Sequence, residues 1–256
     1  MKKIAILGLG PSGMFSVMAC NDKGYKPVVI STGSLRSPAG AFYFHWIPPQ
    51  YARKVPQEVI TYSYIGTNQI YLQKQWGDSI QGQVSSSFGK YDMELGYSPW
   101  RTVQVFQDTA AFDYVDREPL STEEVFELCK VNDLVVCTFP LGALMADLFT
   151  VPRPVTIQQG SPTAQNLIVY NGTWEEKWVR RSHLFGRIYT EYCHLEDVAG
   201  SPYQVITIRD IHPQLAPANL EGIPDNLHFS GRNAELNRKR LAHEAYYTME
   251  DLIDAI

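Results

Sequence analysis

Cysteine is scarce in this chain and charge is thin. The 256 residues include four cysteines, Cys20, Cys129, Cys137 and Cys193, far apart and with no C-x-x-C pair. That pattern argues against a disulfide framework or a metal site, and reads as reduced thiols of a cytoplasmic protein. Charged residues make up 19% of the chain, below the roughly 25% of ordinary domains, which argues against disorder. No apolar run approaches the about 18 residues of a membrane span. The opening MKKIAILGLG starts like a signal peptide, but glycines break its apolar run and no small-residue cleavage site follows. A net charge of −5 gives no global attraction to nucleic acid or anionic membrane. Internal repeats, low-complexity tracts and domain-splitting linkers are also missing. What remains is a globular chain long enough for one large domain, alone or with a small insert.

The first thirty residues carry the strongest pattern. Lys3 to Leu7 is a short branched apolar run suited to a buried parallel strand. Gly8-Leu9-Gly10-Pro11-Ser12-Gly13 follows, then Met14 to Cys20 at helical spacing, a stop near Gly24, and a second apolar run over Lys26 to Ile30. This is a βαβ unit of about 30 residues. The chemistry explains the glycines: Gly8 permits the turn, Gly10 lets backbone approach a pyrophosphate, and Gly13 lets helix pack on strand. The helix N-terminus then offers N–H groups and a positive dipole end to phosphates.

The second strand lacks the acidic residue that usually accepts a ribose hydroxyl. Ser31-Thr32 stand there, followed by Ser34 and Arg36. Ser31 as ribose ligand, a 2′-phosphate site for NADP, and a plain polar loop are the three readings of this stretch.

Further along, Glu58 to Ile65 alternates as a strand with Val59, Thr61, Ser63 and Ile65 on one face. Asn68 to Trp76 reads as a helix, and Val84–Ser87 and Thr102–Phe106 as strands. Ser121 with Glu124 forms a capping box opening a helix to Lys130. Asp133 to Phe139 is another buried strand. Val155–Gln159, Leu167–Tyr170, Glu176–Ser182, Gly186–Tyr192 and Tyr203–Ile208 read as a meander. Leu227 to Ser230 is a last strand, followed by Gly231-Arg232 and a helix from about Asn237 to Ile256.

The glycine loop and the Gly231-Arg232 turn together resemble FAD-binding proteins of the amine oxidase and UDP-galactopyranose mutase superfamily. The segments SPAGAFYFHWIP, ITYSYIGTNQIYLQKQWGD, WVRRSHLFGRIYTEY and SGRNAELNRKRLAHEAY are similar to a set of small phage and actinobacterial FAD-dependent proteins. The resemblance implies an α/β fold: a Rossmann-like FAD-binding domain with a central parallel sheet and an inserted, mostly antiparallel β layer facing substrate. Residues about 1–50, 120–145 and 225–256 would form the first, and about 51–119 and 150–224 the second.

It also implies non-covalent FAD. Gly8, Gly10, Pro11, Ser12 and Gly13 match the pyrophosphate loop, with Ser31 and Thr32 at the ribose and Ala39-Gly40 where a Gly-Gly pair is common. Thr138 falls at the end of the later strand, and Gly231, Arg232 and Asn233 at the flavin-proximal turn. Tyr43 and His45 are candidate acid–base residues and Trp46 a substrate wall; a packed core corner is the competing reading of FYFHWIP. Arg181, His183 and Arg187, with Glu191, are a candidate anion site on consecutive strands, set against a charged strand edge. No metal is expected. The implied activity is oxidation or lyase cleavage of a C–N bond in an amine or amino-acid-like substrate, a small molecule or a modified nucleobase of phage DNA. A redox-neutral mutase-like enzyme acting on a sugar nucleotide and a non-enzymatic dinucleotide-binding module are the alternatives.

Overall fold

The computed structural model describes residues 2–32, 42–77, 86–139, 150–211, 222–232, 234–235 and 241–256. Along the chain run β1 (Ile4–Leu7), α1 (Pro11–Asp22), β2 (Val28–Ser31), α2 (Pro49–Ala52), β3 (Gln57–Gly66) and α3 (Asn68–Trp76). Then follow β4 (Met93–Tyr97), α4 (Pro99–Thr109), β5 (Asp113–Asp116), α5 (Thr122–Val131) and β6 (Leu134–Cys137). The rest is β7 (Thr150–Gln159), β8 (Asn166–Gly172), β9 (Arg180–Leu184), β10 (Arg187–Glu191), β11 (Gln204–Ile211), β12 (Leu227–Phe229) and α6 (Glu244–Ala255). The chain divides into two compact units, Met1–Val55 with Pro99–Thr150 and Ile211–Ile256, and Pro56–Ser98 with Val151–Asp210.

The first unit is built on a five-stranded sheet in the order β12-β6-β1-β2-β5, with all four pairings parallel. β1 and β6 are buried at every position, which is why both read as unbroken apolar runs. α1 is buried from Gly13 through Cys20 because it also packs against α6; an apolar surface on all sides suits a helix with neighbours on more than one face. The strand order changes direction at β1, so the glycine loop leaves the sheet at its switch point, where open α/β sheets hold ligands.

The second unit carries a seven-stranded sheet in the order β11-β7-β10-β9-β8-β3-β4. Its described registers are antiparallel except for β3 with β8. In β3 the face of Val59, Thr61, Ser63 and Ile65 is the outer one: Val59 and Ile65 are 45% and 44% exposed while Ile60 is fully buried.

The structure departs from the expected elements at several places. Thr102–Phe106 is helical, within α4: its buried residues Pro99, Thr102, Val103 and Phe106 follow the i, i+3, i+4, i+7 spacing of a helix face. α4 and β5 occupy residues 99–116 of the first unit, a stretch the sequence assigns to the insert, and β5 pairs with β2 in the parallel sheet. β5 escapes notice because all four of its residues are exposed and it carries no apolar alternation. Of the helix expected from about Asn237, residues 237–240 lie outside the described residues, 241–243 are not helical, and α6 begins at Glu244; β9 begins at Arg180 rather than Glu176. Of the strand expected over Val84–Ser87, residues 84–85 lie outside the described residues and 86–87 are not a strand. Among the described residues no helix is long and apolar enough to cross a membrane.

The four cysteines are all buried and unpaired. Burial pushes the Cys20 and Cys137 thiols up to about 12 and that of Cys193 up to about 11. Thiolate is the reactive form, so none of the four is expected to react with Ellman's reagent in native protein at neutral pH. All four should react on unfolding in guanidinium. Rapid native labelling of any one would contradict this packing.

Candidate functional site

In the loop between β1 and α1 each glycine has its own physical reason. Gly8 sits at φ +94° with its N–H donating to Ile30 O at 2.8 Å, a left-handed conformation that favours glycine. A Cβ on Gly13 would lie 2.1 Å from Gly8 O, so the helix can enter only without a side chain there. Gly10 differs. Its backbone is extended (φ −73°, ψ −172°), and a Cβ built on it meets nothing within 4 Å. The protein's own packing therefore does not require glycine at position 10, and the space it leaves is exposed. Gly10 caps α1 without a side-chain hydrogen bond and Pro11 follows at the first turn, which leaves the Ser12 and Gly13 amides as the helix-end donors.

The chain's last strand returns to this loop. Gly231, at φ +99°, would place a Cβ 2.2 Å from Ser12 Oγ. Its N–H donates to Glu235 Oε1 at 2.9 Å, and Glu235 N–H donates back to Gly231 O at 2.9 Å. Ser230, fully buried beside it, has a hydroxyl with no hydrogen-bond partner. Arg232 is exposed. Of the predicted cofactor residues, Ala39, Gly40 and Asn233 lie outside the described residues, as do Ser34 and Arg36.

Thr138 and Ser31 brace the loop. The Thr138 hydroxyl is 3.0 Å from both Leu7 O and Gly8 O, so its single hydrogen is committed to backbone. Ser31 Oγ accepts the Leu9 N–H at 3.2 Å, joining β2 to the glycine loop. Thr32 is exposed at the end of β2.

In the segment FYFHWIP the core-corner reading holds for some residues and not for others. Phe44 and Ile47 are 2% and 1% exposed, whereas His45 is exposed. Phe44 meets Phe15 of α1 edge-on at 5.2 Å. Tyr43 and His45 stand 4.6 Å apart between ring centroids. Trp46 packs on α6, 5.3 Å from Tyr246 and 5.1 Å from Tyr247, so it anchors that helix. His243 completes the cluster, 6.3 Å from His45 and 6.0 Å from Trp46. Burial and the neighbouring His45 hold the His243 imidazole below its usual range. Sequence spacing gave no signal for His243, because almost two hundred residues separate it from His45.

The strand residues proposed as one anion site are divided by register. Arg181 and His183 share one face of β9, but Arg187 pairs with Leu184 and Glu191 with Arg180, which places both on the opposite face. Arg181 is exposed and lies 4.9 Å over Trp178. His183 is half-buried, packed on Gly160, where a Cβ would come within 2.4 Å of its Nε2. Glu191 is 5% exposed and holds Arg180 at 2.5 Å, with Tyr170 next in register. Burial and the adjoining Tyr170 push the Tyr71 hydroxyl well above the usual tyrosine range. The charged side chain that belongs with Glu191 is thus Arg180.

No protein-family model matches this chain, and no curated protein matches it by sequence. Among solved structures, a reduced UDP-galactopyranose mutase aligns over 99% of this chain and 93% of its own, with a TM-score of 0.60 and 10% identity. Glycine oxidase from Bacillus cereus aligns over 100% and 98%, with a TM-score of 0.56 and 12% identity. The flavin-dependent brominase Bmp2 aligns over 100% and 80%, with a TM-score of 0.51 and 10% identity. At these identities the likeness establishes the fold: an α/β Rossmann-like parallel sheet joined to a second, mostly antiparallel sheet.

Proposed function

We propose that this chain is an FAD-dependent enzyme that oxidises a C–N bond of an amine or amino-acid-like substrate. The carrying observation is the loop at the switch point. Gly10 leaves open space that its own fold does not need, the Ser12 and Gly13 amides head α1, and Gly231 closes against Ser12. This arrangement fits a pyrophosphate, which needs close backbone approach and helix-end donors. The likeness to glycine oxidase, over nearly the whole of both chains, supports the amine reading. The likeness to UDP-galactopyranose mutase supports a second, redox-neutral reading on a sugar nucleotide.

When bound, FAD supplies the two-electron chemistry, so few protein groups are needed. His45, exposed beside Tyr43 and His243, is suited to move a proton at the substrate nitrogen. Beside it the half-buried His243 is held toward its neutral form by burial and by His45 itself. Arg232, exposed after Gly231, is suited to a flavin or phosphate oxygen. The amine substrate is a small molecule or an amine carried on a modified nucleobase.

The absorption spectrum of purified protein is the first test. Flavin bands in the near ultraviolet and blue, with the chromophore released by denaturation, are expected for non-covalent FAD. A colourless protein that takes up no added FAD overturns the reading. Oxygen uptake or flavin reduction with an amine supports C–N oxidation, whereas activity only after dithionite reduction supports the mutase alternative. His45→Ala should keep its flavin and melting temperature, since the side chain is exposed, while flavin reduction by substrate slows on the order of 10²-fold. Full turnover by this variant would remove His45 from the chemistry.

A further inference from the structure

The outer face of the second sheet carries an apolar surface that the described chain leaves exposed. On β4, Met93 and Leu95 are 63% and 53% exposed, more than Val59 and Ile65 on β3. Register gathers them on one face, because residues opposed across strands point to the same side of a sheet. Leu95 lies opposite Val59 and Met93 opposite Thr61, while Leu167 and Val169 of β8 lie opposite Thr61 and Ser63. Leu167 and Val169, both half-buried, bridge the β4 residues to Ile65. The other face holds this sheet's core. There Ile60, Ile168 and Tyr170 are buried, and Tyr71 of α3 packs on Tyr170 at 5.4 Å.

Charge is sorted in the same way. Glu58 and Glu94 alternate onto the covered face, where they accept hydrogen bonds from Asn166 Nδ2 at 3.0 Å and from the Tyr62 hydroxyl at 2.7 Å. On the outer face, β3 and β4 carry only Gln57, Thr61, Ser63 and Tyr97 besides the apolar residues. Natural sheet edges are ordinarily guarded by charge. β4 ends the sheet order, yet it has no charge on this face. The four exposed apolar side chains present on the order of 400 Å², the size of the largest patch on a typical monomer.

These features select a second copy of this chain as the occupant. In a two-fold contact a patch meets its own image, so a charged patch repels itself and an uncharged one does not. Sheets packed face to face stand about 10 Å apart with their side chains interleaved. The four side chains give about half of the roughly 800 Å² that each partner contributes to a stable interface, and the uncharged positions between them lie within the same contact. Arg181, opposite Val169 on this face and exposed, falls at the rim, where charge stays solvated. We propose that this chain pairs with a second copy of itself through the outer face of β3 and β4, sheet packed against sheet.

Sedimentation equilibrium of full-length protein from about 1 to 100 μM is the first measurement, and a dimer is expected. Leu95→Lys places a charge in the apolar centre from both sides and should raise the dimer dissociation constant at least about a hundredfold. Its circular dichroism should match wild type, since Leu95 is more than half exposed. Val131→Lys, at a still more exposed apolar residue ending α5, should leave the dimer intact. A bismaleimide cross-linker locates the contact, because the four native cysteines are buried. Leu95→Cys is expected to give covalent dimer and Val131→Cys none. A wild type that is monomeric throughout overturns the inference, and a loss of amine affinity in Leu95→Lys would then assign the face to substrate. A dimer that survives Leu95→Lys unweakened overturns it as well, by placing the contact elsewhere. Should Leu95→Lys fail to fold, the cross-link decides alone: no covalent dimer from Leu95→Cys refutes the pairing.

Discussion

Gly10→Val should fold and lose its flavin. A valine at this position adopts the extended φ of −73° and ψ of −172° without strain, and its Cβ meets no protein atom within 4 Å. The space that the branched methyls would take is the approach to the Ser12 and Gly13 amides, where phosphate oxygens meet backbone donors. Purified Gly10→Val is therefore expected to be colourless, with a flavin-free melting temperature close to that of flavin-free wild type. Gly13→Ala provides the contrast. Its Cβ would fall 2.1 Å from Gly8 O, an overlap that forces helix and strand apart and costs roughly 1–3 kcal/mol. Flavin content and denaturant unfolding, measured on both variants, separate a residue kept for the ligand from one kept for the fold. Stoichiometric flavin on Gly10→Val would place the phosphate elsewhere.

The difference between those two glycines was only partly legible in the sequence. The strand, the glycine spacing and the helix fall within fifteen residues, so local pattern defines the loop, and the capping box at Ser121 and Glu124 is present as read. Nothing local says that Gly10 is sterically free while Gly13 is not, because the crowding atom is the carbonyl of Gly8 across the turn. Long-range pairings were harder still. β5 is four exposed residues with no apolar alternation, so its place beside β2, and the approach of Asp116 to Ser31, emerge only from register. Thr138 matches the cofactor set at the end of the later strand, yet its hydrogen goes to the carbonyls of β1 and the loop. In α4 the helical spacing was present in Pro99, Thr102, Val103 and Phe106, but the β-branched residues Thr102, Val103 and Val105 favour the strand reading by propensity. Tertiary burial decided for the helix.

The same problem of register governs the charged strands, and it sets the expectation for Arg180. Spacing along β9 groups Arg181 with His183, but the cross-strand pairing puts Arg180 against Glu191. Their charged groups meet at 2.5 Å, with the Glu191 side chain 7% exposed and that of Arg180 23% exposed. A buried carboxylate that loses its cation is left uncompensated, and breaking such a pair costs about 3–5 kcal/mol when both members are fully buried. Because Arg180 retains some solvent contact, the lower end applies, so Arg180→Met is expected to destabilise by roughly 3 kcal/mol. Replacing both partners removes the stranded charge together with the pair. Arg180→Met combined with Glu191→Met should therefore recover most of the lost stability, since apolar replacement of a buried pair is often neutral. Urea unfolding of the two single variants and the double variant gives the coupling directly. Additive losses would mean that Arg180 and Glu191 are stabilised by separate neighbours, and that the pair is not the polar centre of the Tyr71 and Tyr170 face.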